Sequence, residues 1–450
     1  MEKKVDVLIL GGGPAGIITA VTARNYYPDK NIAVMKDVEQ GVIPCGIPYM
    51  FASLKNPEEN KLGNATLDNN KINCVIDKAV KIHKDSKTVL TDKGDTYSYN
   101  KLVLAVGSTP VNLPIPGIDK KGVYSILKDL NYLKEIITEI KQCKRILVLG
   151  GGFIGIEFAD ELAKLDDKEV TLVEMLPSIL ANSFDPEFSK IAENKLKEAG
   201  VNVKTGISVK EILGDQKVEK VMLSDGSELE IDAIILGVGF IPEVHLAREA
   251  GLECDKRKGI FVDEYMRTSD PDIFAVGDCA GKRDFYTQKP IPVMLASTAT
   301  AEARIAGANL YKIKVIRENK GTIAIYSTYL DGISFGSAGL TEKTALDEGF
   351  EITIGSVDGV DMHPGTLPGA SKSKVRLIFS KQSGIILGGQ VCGGMSCAQI
   401  INIIGVAIQK RMSCTELETL QMATHPYLTS SPTVYPLVVA AQNAGSNMRL

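Results

Sequence analysis

The chain has 450 residues, of which 44% are hydrophobic and 24% charged, and a formal net charge of −4. It exceeds the ~250–300 residues at which one core stops growing, so two or three domains are expected. Mixed-sign charge, no apolar run of ~18 residues and eight dispersed cysteines argue against a nucleic-acid partner, membrane insertion and a disulfide scaffold.

The N-terminal Met1-Glu2-Lys3-Lys4 runs directly into Val5–Leu10, leaving no room for a leader, and a cytoplasmic protein is expected. Val7–Leu10 is a short apolar run of buried-strand type. It meets the turn Gly11-Gly12-Gly13-Pro14-Ala15-Gly16, a helical stretch through Arg24 and a second strand over 31–35. About 140 residues later the pattern returns: Ile146–Leu149, then Gly150-Gly151-Gly152-Phe153-Ile154-Gly155, a helix through Leu165 and a strand over 170–173. Short alternating strands follow each unit, at 101–106 and 231–237. From about residue 321 the texture changes to antiparallel strands (322–329, 375–379, 385–390) and an amphipathic helix near 398–409. The predicted fold class is α/β, with two three-layer, Rossmann-like dinucleotide-binding domains and a C-terminal α+β domain.

A single G-x-G-x-x-G is weak evidence; two, each between a strand and a helix, are much stronger. The first glycine makes the tight turn, the second lets the backbone approach a pyrophosphate, and the third packs helix on strand. The helix N-terminus adds N–H donors and partial positive charge. Gly11, Gly13 and Gly16 fit one dinucleotide; Gly150, Gly152 and Gly155 fit another. An acid ending the second strand holds a ribose 2′-hydroxyl and repels a 2′-phosphate, so Glu174 selects NADH over NADPH in the second unit. The first unit has Lys36 there instead, with Asp37, Glu39 or backbone groups as alternative ribose contacts. The segment Thr268–Cys279 reads as a small-residue strand closing in Gly277-Asp278, whose carboxylate can accept hydrogen bonds from polyol hydroxyls. Cys392 and Cys397 frame Gly-Gly-Met-Ser and read as two small buried residues rather than a metal or redox pair. No metal site is expected.

Gly11–Gly16, Leu104–Pro110, Gly150–Glu157 and Ile273–Asp278, in that order, resemble the FAD-dependent pyridine nucleotide–disulfide oxidoreductase family over essentially the whole chain. Pro44-Cys45-Gly46-Ile47-Pro48-Tyr49 resembles its single-cysteine branch, which contains coenzyme A-disulfide reductases, NADH oxidases and peroxidases, and persulfide or polysulfide reductases. The resemblance implies FAD held by residues 1–112 and 241–320, NADH held by 113–240, and a dimerisation domain at 321–450. It extends cofactor contact to Pro14, Ala15, Ala105, Gly107, Ser108, Phe153, Ile154, Glu157, Gly239, Ala296 and Thr298. It also implies an electron path from NADH through FAD to Cys45. The substrate would be a small sulfur compound, with coenzyme A as a possible component; oxygen or peroxide is the alternative acceptor, with Cys45 as a sulfenic acid. A redox-sensing protein, or a reductase of an electron-carrier protein, is the reading from another class.

A glycine-rich turn leading into a helix near Cys45 is expected to favour its thiolate. Thr424-His425-Pro426-Tyr427 resembles the His-Pro of the paired-cysteine branch, which implies a homodimer in which His425 or Tyr427 protonates sulfur on the other subunit. Ser430 stands where that branch orients its histidine with glutamate, and Thr366-Leu367 stands where coenzyme A-disulfide reductases carry a tyrosine. Arg24 has two readings, a contact to coenzyme A phosphates or a helix-surface salt bridge.

Overall fold

The computed structural model describes residues 2–318 and 320–449. Val7–Leu10 is buried at all four positions, as a parallel strand covered on both faces must be. It pairs with Lys101–Leu104 on one side and Ile32–Lys36 on the other; Ile273–Ala275 and Asn73–Ile76 complete a five-stranded parallel sheet. Helix α1 (Pro14–Tyr26) crosses between the two central strands, with Pro14 at its first turn.

The second unit repeats this layout. Its parallel sheet runs Val123–Ser125, Ala233–Leu236, Arg145–Leu149, Glu169–Glu174, Asn202–Thr205, and helix α2 (Phe153–Ala163) follows the central strand. In both sheets the strand before the glycine turn is the third of five, so the two turns occupy the same place at the carboxyl ends.

The chain then returns to the first sheet. Of the expected 268–279 strand only Ile273–Ala275 pairs as a strand, because Asp270 accepts from the Asp272 N–H at 2.8 Å and makes a turn ahead of it, and Gly277–Cys279 form a 3-10 turn after it. Helix α3 (Ala296–Asn309) lies against α1. The final unit is a five-stranded antiparallel sheet, ordered Ile325–Leu330, Ile333–Gly339, Ile386–Gly393, Lys372–Ser380, Ile352–Val360. Helices α4 (Ile400–Gln409) and α5 (Pro436–Arg449) pack on it. No helix among the described residues is long and apolar enough to cross a membrane.

Candidate functional site

The two glycine turns are built alike. Gly11 and Gly150 sit at φ +117° and +107°, and a Cβ on either would meet Ala105 O at 2.1 Å or Gly237 O at 2.6 Å. The third glycines are as constrained, since a Cβ on Gly16 or Gly155 would lie 1.9 or 1.8 Å from the carbonyl of the first. The middle glycines differ in kind. A Cβ on Gly13 or Gly152 would meet nothing within 4 Å, and both line one large cavity. That pattern fits a phosphate group: backbone held from behind, open space in front, and unpaired first-turn N–H groups of α1 or α2 alongside.

The cavity has a volume of 2610 Å³ and runs past both turns to the thiol of Cys45. Pro14, Ala15, Lys36, Ala105, Gly107, Ser108, Gly277, Asp278 and Ala296 line its first half. Phe153, Ile154, Glu157, Glu174 and Gly239 line its second. Thr298 does not. On α3, Ala296 and Ala299 share the cavity face three residues apart, which turns Thr298 away. Asp278 is presented by a short 3-10 turn and accepts from Ser108 Oγ at 2.8 Å, with Lys128 Nζ at 3.4 Å. Lys128 belongs to no motif; only the meeting of residues 128, 108 and 278 in space reveals it.

Lys36 and Glu174 are structural counterparts. Each closes its strand and packs on the middle residue of its turn: a Cβ on Gly12 would lie 2.7 Å from Lys36 Cδ, and one on Gly151 would lie 3.0 Å from Glu174 Cβ. Glu174 accepts from the Gly151 and Leu176 N–H groups at 2.6 and 2.7 Å, which fixes the carboxylate at the rim. Lys36 Nζ is tied to Asn64 Oδ1 at 2.9 Å and to the Glu39 carbonyl at 3.1 Å. Its charge is held beside the first turn rather than exchanged for an acid.

Cys45 alone of the eight cysteines is exposed, and it opens into the cavity. Its segment contains two 3-10 turns, Pro44–Gly46 and Pro48–Met50, each too short to supply a helix N-terminal field. Accordingly the thiol is not lowered. Desolvation by the surrounding walls and the nearby Glu157 carboxyl push it up, and Lys128 only partly opposes them. Glu157 is itself pushed up to about 7, first by burial, then by Asp160 and Glu161, against the hydrogen bond that Thr328 Oγ1 donates at 2.7 Å. Burial, then the same three carboxyls, raise Tyr49, which stands between Cys45 and α2.

His425 and Tyr427 do not line the cavity of their own chain. They form an exposed turn in which the Tyr427 N–H donates to His425 Nδ1 at 3.3 Å. Ser430 is spent on the Val360 carbonyl at 2.6 Å, and the turn rests on the 361–370 segment through His363 and the Thr429 carbonyl, 2.9 Å apart. Among the described residues Arg24 makes no salt bridge; its guanidinium donates to the carbonyls of Pro28, Lys30, Asn70 and Lys71. Cys392 and Cys397 are buried in the C-terminal sheet and its following turn, with desolvation pushing their thiols up to about 11 and about 12. Sequence reasoning missed Thr328, and also Tyr326, which stacks on Phe153 at 4.8 Å. Both come from the C-terminal sheet, far along the chain from any glycine motif.

Residues 5–303 match the family model for pyridine nucleotide-disulphide oxidoreductases, and residues 325–434 match the dimerisation domain of the same family. The chain is 31% identical over 452 residues to an NADH oxidase of Methanocaldococcus jannaschii, covering 97% of this chain and 98% of that one. It is 28% identical to an NAD(P)H coenzyme A polysulfide/persulfide reductase of Pyrococcus horikoshii over 87% of this chain and 88% of that one. Among solved structures, a NAD-dependent persulfide reductase from A. fulgidus superposes with a TM-score of 0.90 at 29% identity, covering 100% of this chain and 84% of that one. Two open glycine cradles in duplicated parallel sheets, followed by an antiparallel domain, are thus accompanied by matches running the length of the chain, which belongs to the pyridine nucleotide-disulphide oxidoreductase family.

Proposed function

We propose that the chain is an NADH-dependent flavoprotein reductase that passes electrons from NADH through FAD to Cys45 and on to a small sulfur substrate: a coenzyme A disulfide, a persulfide or a polysulfide. The observation that carries this reading is a single cavity that joins both glycine cradles to one exposed cysteine. Residues 1–112 and 241–320 hold FAD, 113–240 hold NADH, and 321–450 pair two chains in a homodimer. The family's dimerisation domain over 325–434 supports that pairing. Eight free thiols suit a reducing compartment such as the cytoplasm.

Bound FAD supplies hydride acceptance from NADH and two-electron delivery to sulfur. The chain's own groups bind and orient. Amides at the start of α1, beside Gly13, take the FAD pyrophosphate, and Asp278, held by Ser108 and Lys128, takes the ribityl hydroxyls. Amides at the start of α2, beside Gly152, take the NADH pyrophosphate, and Glu174 takes the adenosine ribose. Phe153, stacked on Tyr326, closes the space over the nicotinamide side of the cavity. Cys45 receives the electrons and exchanges with the substrate disulfide. His425 or Tyr427 of the partner subunit meets the sulfur from outside, since neither reaches the cavity of its own chain.

Cys45→Ser tests this reading. NADH-driven reduction of coenzyme A disulfide is expected to fall to background, while anaerobic bleaching of the flavin by NADH persists. Full disulfide turnover by the serine variant would overturn it. The second reading is an NADH oxidase or peroxidase with Cys45 as a sulfenic acid, favoured by the likeness to the M. jannaschii NADH oxidase. Peroxide-forming oxygen consumption at the flavin would survive Cys45→Ser, whereas water-forming turnover would not.

A further inference from the structure

The two glycine cradles match in backbone yet carry opposite charge at one position. The Gly11 N–H donates to the Met35 carbonyl and the Gly150 N–H to the Val173 carbonyl, each at 2.8 Å, so Lys36 and Glu174 leave their strands at the same place beside the turn. Both side chains lie across the middle glycine, Gly12 or Gly151, and both are 9% exposed. A side chain at this strand end meets the adenosine ribose of a bound dinucleotide.

What each rim offers a sugar differs. The Glu174 carboxylate takes the Gly151 and Leu176 N–H groups and keeps lone pairs for ribose hydroxyls. In the first unit the matching N–H groups, those of Gly12 and Val38, meet no acceptor among the described residues. Lys36 adds an ammonium with three donors, of which the Glu39 carbonyl and Asn64 Oδ1 occupy two, and both of those partners are neutral. Asn64 stands just before the helical turn Ala65–Asn69, where an asparagine ordinarily caps, yet its side chain makes no cap bond and serves Lys36 instead. The third donor of a buried ammonium is costly to leave unmatched, and a ligand oxygen at the rim would match it. Asp37, the acid next in the chain, takes the place of Met175 in the second unit, and both side chains are exposed.

We infer that Lys36 is a specificity-determining residue of the flavin site: with the Gly12 and Val38 N–H groups it donates to the adenosine ribose oxygens of FAD. The two cradles then read the same sugar with opposite polarity, the first through donors and the second through the Glu174 acceptor. The inference rests on the reading of the first cradle as the FAD site and names the residue that recognises the adenosine end there.

The test reads flavin affinity rather than turnover. The full-length protein is stripped of flavin in concentrated potassium bromide and returned to buffer, and rebinding is followed by titration calorimetry with FAD and with its 2′-deoxyadenosine analogue. The native protein is expected to bind the analogue about 10-fold more weakly, the worth of one hydrogen bond from a charged donor. Lys36→Met is expected to bind FAD about 10-fold more weakly than the native protein and to bind FAD and the analogue alike. Asp37→Asn should keep the native preference. Equal weakening of both ligands by Lys36→Met, which is what mere disordering of Glu39 and Asn64 would give, overturns the inference, as does loss of the preference in Asp37→Asn. If Lys36→Met does not fold, Asn64→Ala, which unties the ammonium, decides: a narrowed preference supports the inference and an unchanged one overturns it. Failure of the parent reading is separate: Gly13→Ala would then leave FAD affinity untouched, whatever the analogue shows.

Discussion

At the scale of single residues, what matters is how much room each glycine has. Gly11→Ala and Gly16→Ala would drive a methyl to within 2.1 and 1.9 Å of a carbonyl oxygen in the packed turn. Both are expected to lose FAD and to unfold at markedly lower temperature, as seen by flavin absorbance and calorimetry. Gly13→Ala meets no protein atom, so it should fold normally and lose FAD affinity by about 10-fold, because the methyl occupies space the pyrophosphate needs. Equal thermal stability with unequal flavin content is the discriminating result. Glu174→Ala removes the acceptor of two N–H bonds at the second rim. It should raise KM for NADH by about 10-fold and narrow the preference over NADPH, measured as a ratio of kcat/KM values.

At the scale of elements, the Gly277 turn is held by a buried ion pair. Lys282 donates to the Gly277 and Ala280 carbonyls at 2.7 and 3.0 Å, while Glu302 of α3 accepts the Gly277 N–H at 2.9 Å; the two charges lie 3.6 Å apart. Removing one partner leaves an uncompensated buried charge, a loss of about 3–5 kcal/mol. Glu302→Leu is therefore expected to lower the unfolding midpoint in urea and to release FAD, with Glu302→Leu/Lys282→Met recovering much of both. The Cys45 segment is docked on α2 in a comparable way, through Ser53 on Glu161 and through the edge-to-face pair Phe51–Phe158 at 5.0 Å. The helix that begins at the second glycine turn thus also supports the Cys45 loop.

At the scale of the whole molecule, the C-terminal sheet completes the site and presents its outer turn to solvent. Gln390 and Asp185 exchange two hydrogen bonds, 2.8 and 2.9 Å, that fasten this sheet to the second unit, and Thr328 reaches Glu157 from it. Beside His425 the surface is apolar, with Tyr427 53%, Leu428 64% and Val434 58% exposed, which is costly to leave in water. Leu428→Asp with Val434→Asp is expected to yield monomers by light scattering that keep FAD but lose most sulfur-substrate turnover. A dimer that persists unchanged would remove this surface from the interface.

The two glycine cradles and their duplicated strand order were legible in the sequence, because a pyrophosphate turn dictates its residues locally: a positive φ here, an absent Cβ there. Cys45 was legible from its flanking prolines and glycine, and Glu174 from its place at a strand end. What the sequence by itself determined is therefore everything set by backbone geometry over a few residues. The protonation of Cys45, the tie that fixes Lys36, the spending of Arg24 on four carbonyls and the separation of His425 from its own cavity were decided only by the tertiary structure. These depend in part on groups far apart in the chain, such as Glu157 with Thr328, Ser108 with Asp278 or Arg24 with Lys71, and electrostatics is set by distance and burial in space rather than by spacing in sequence.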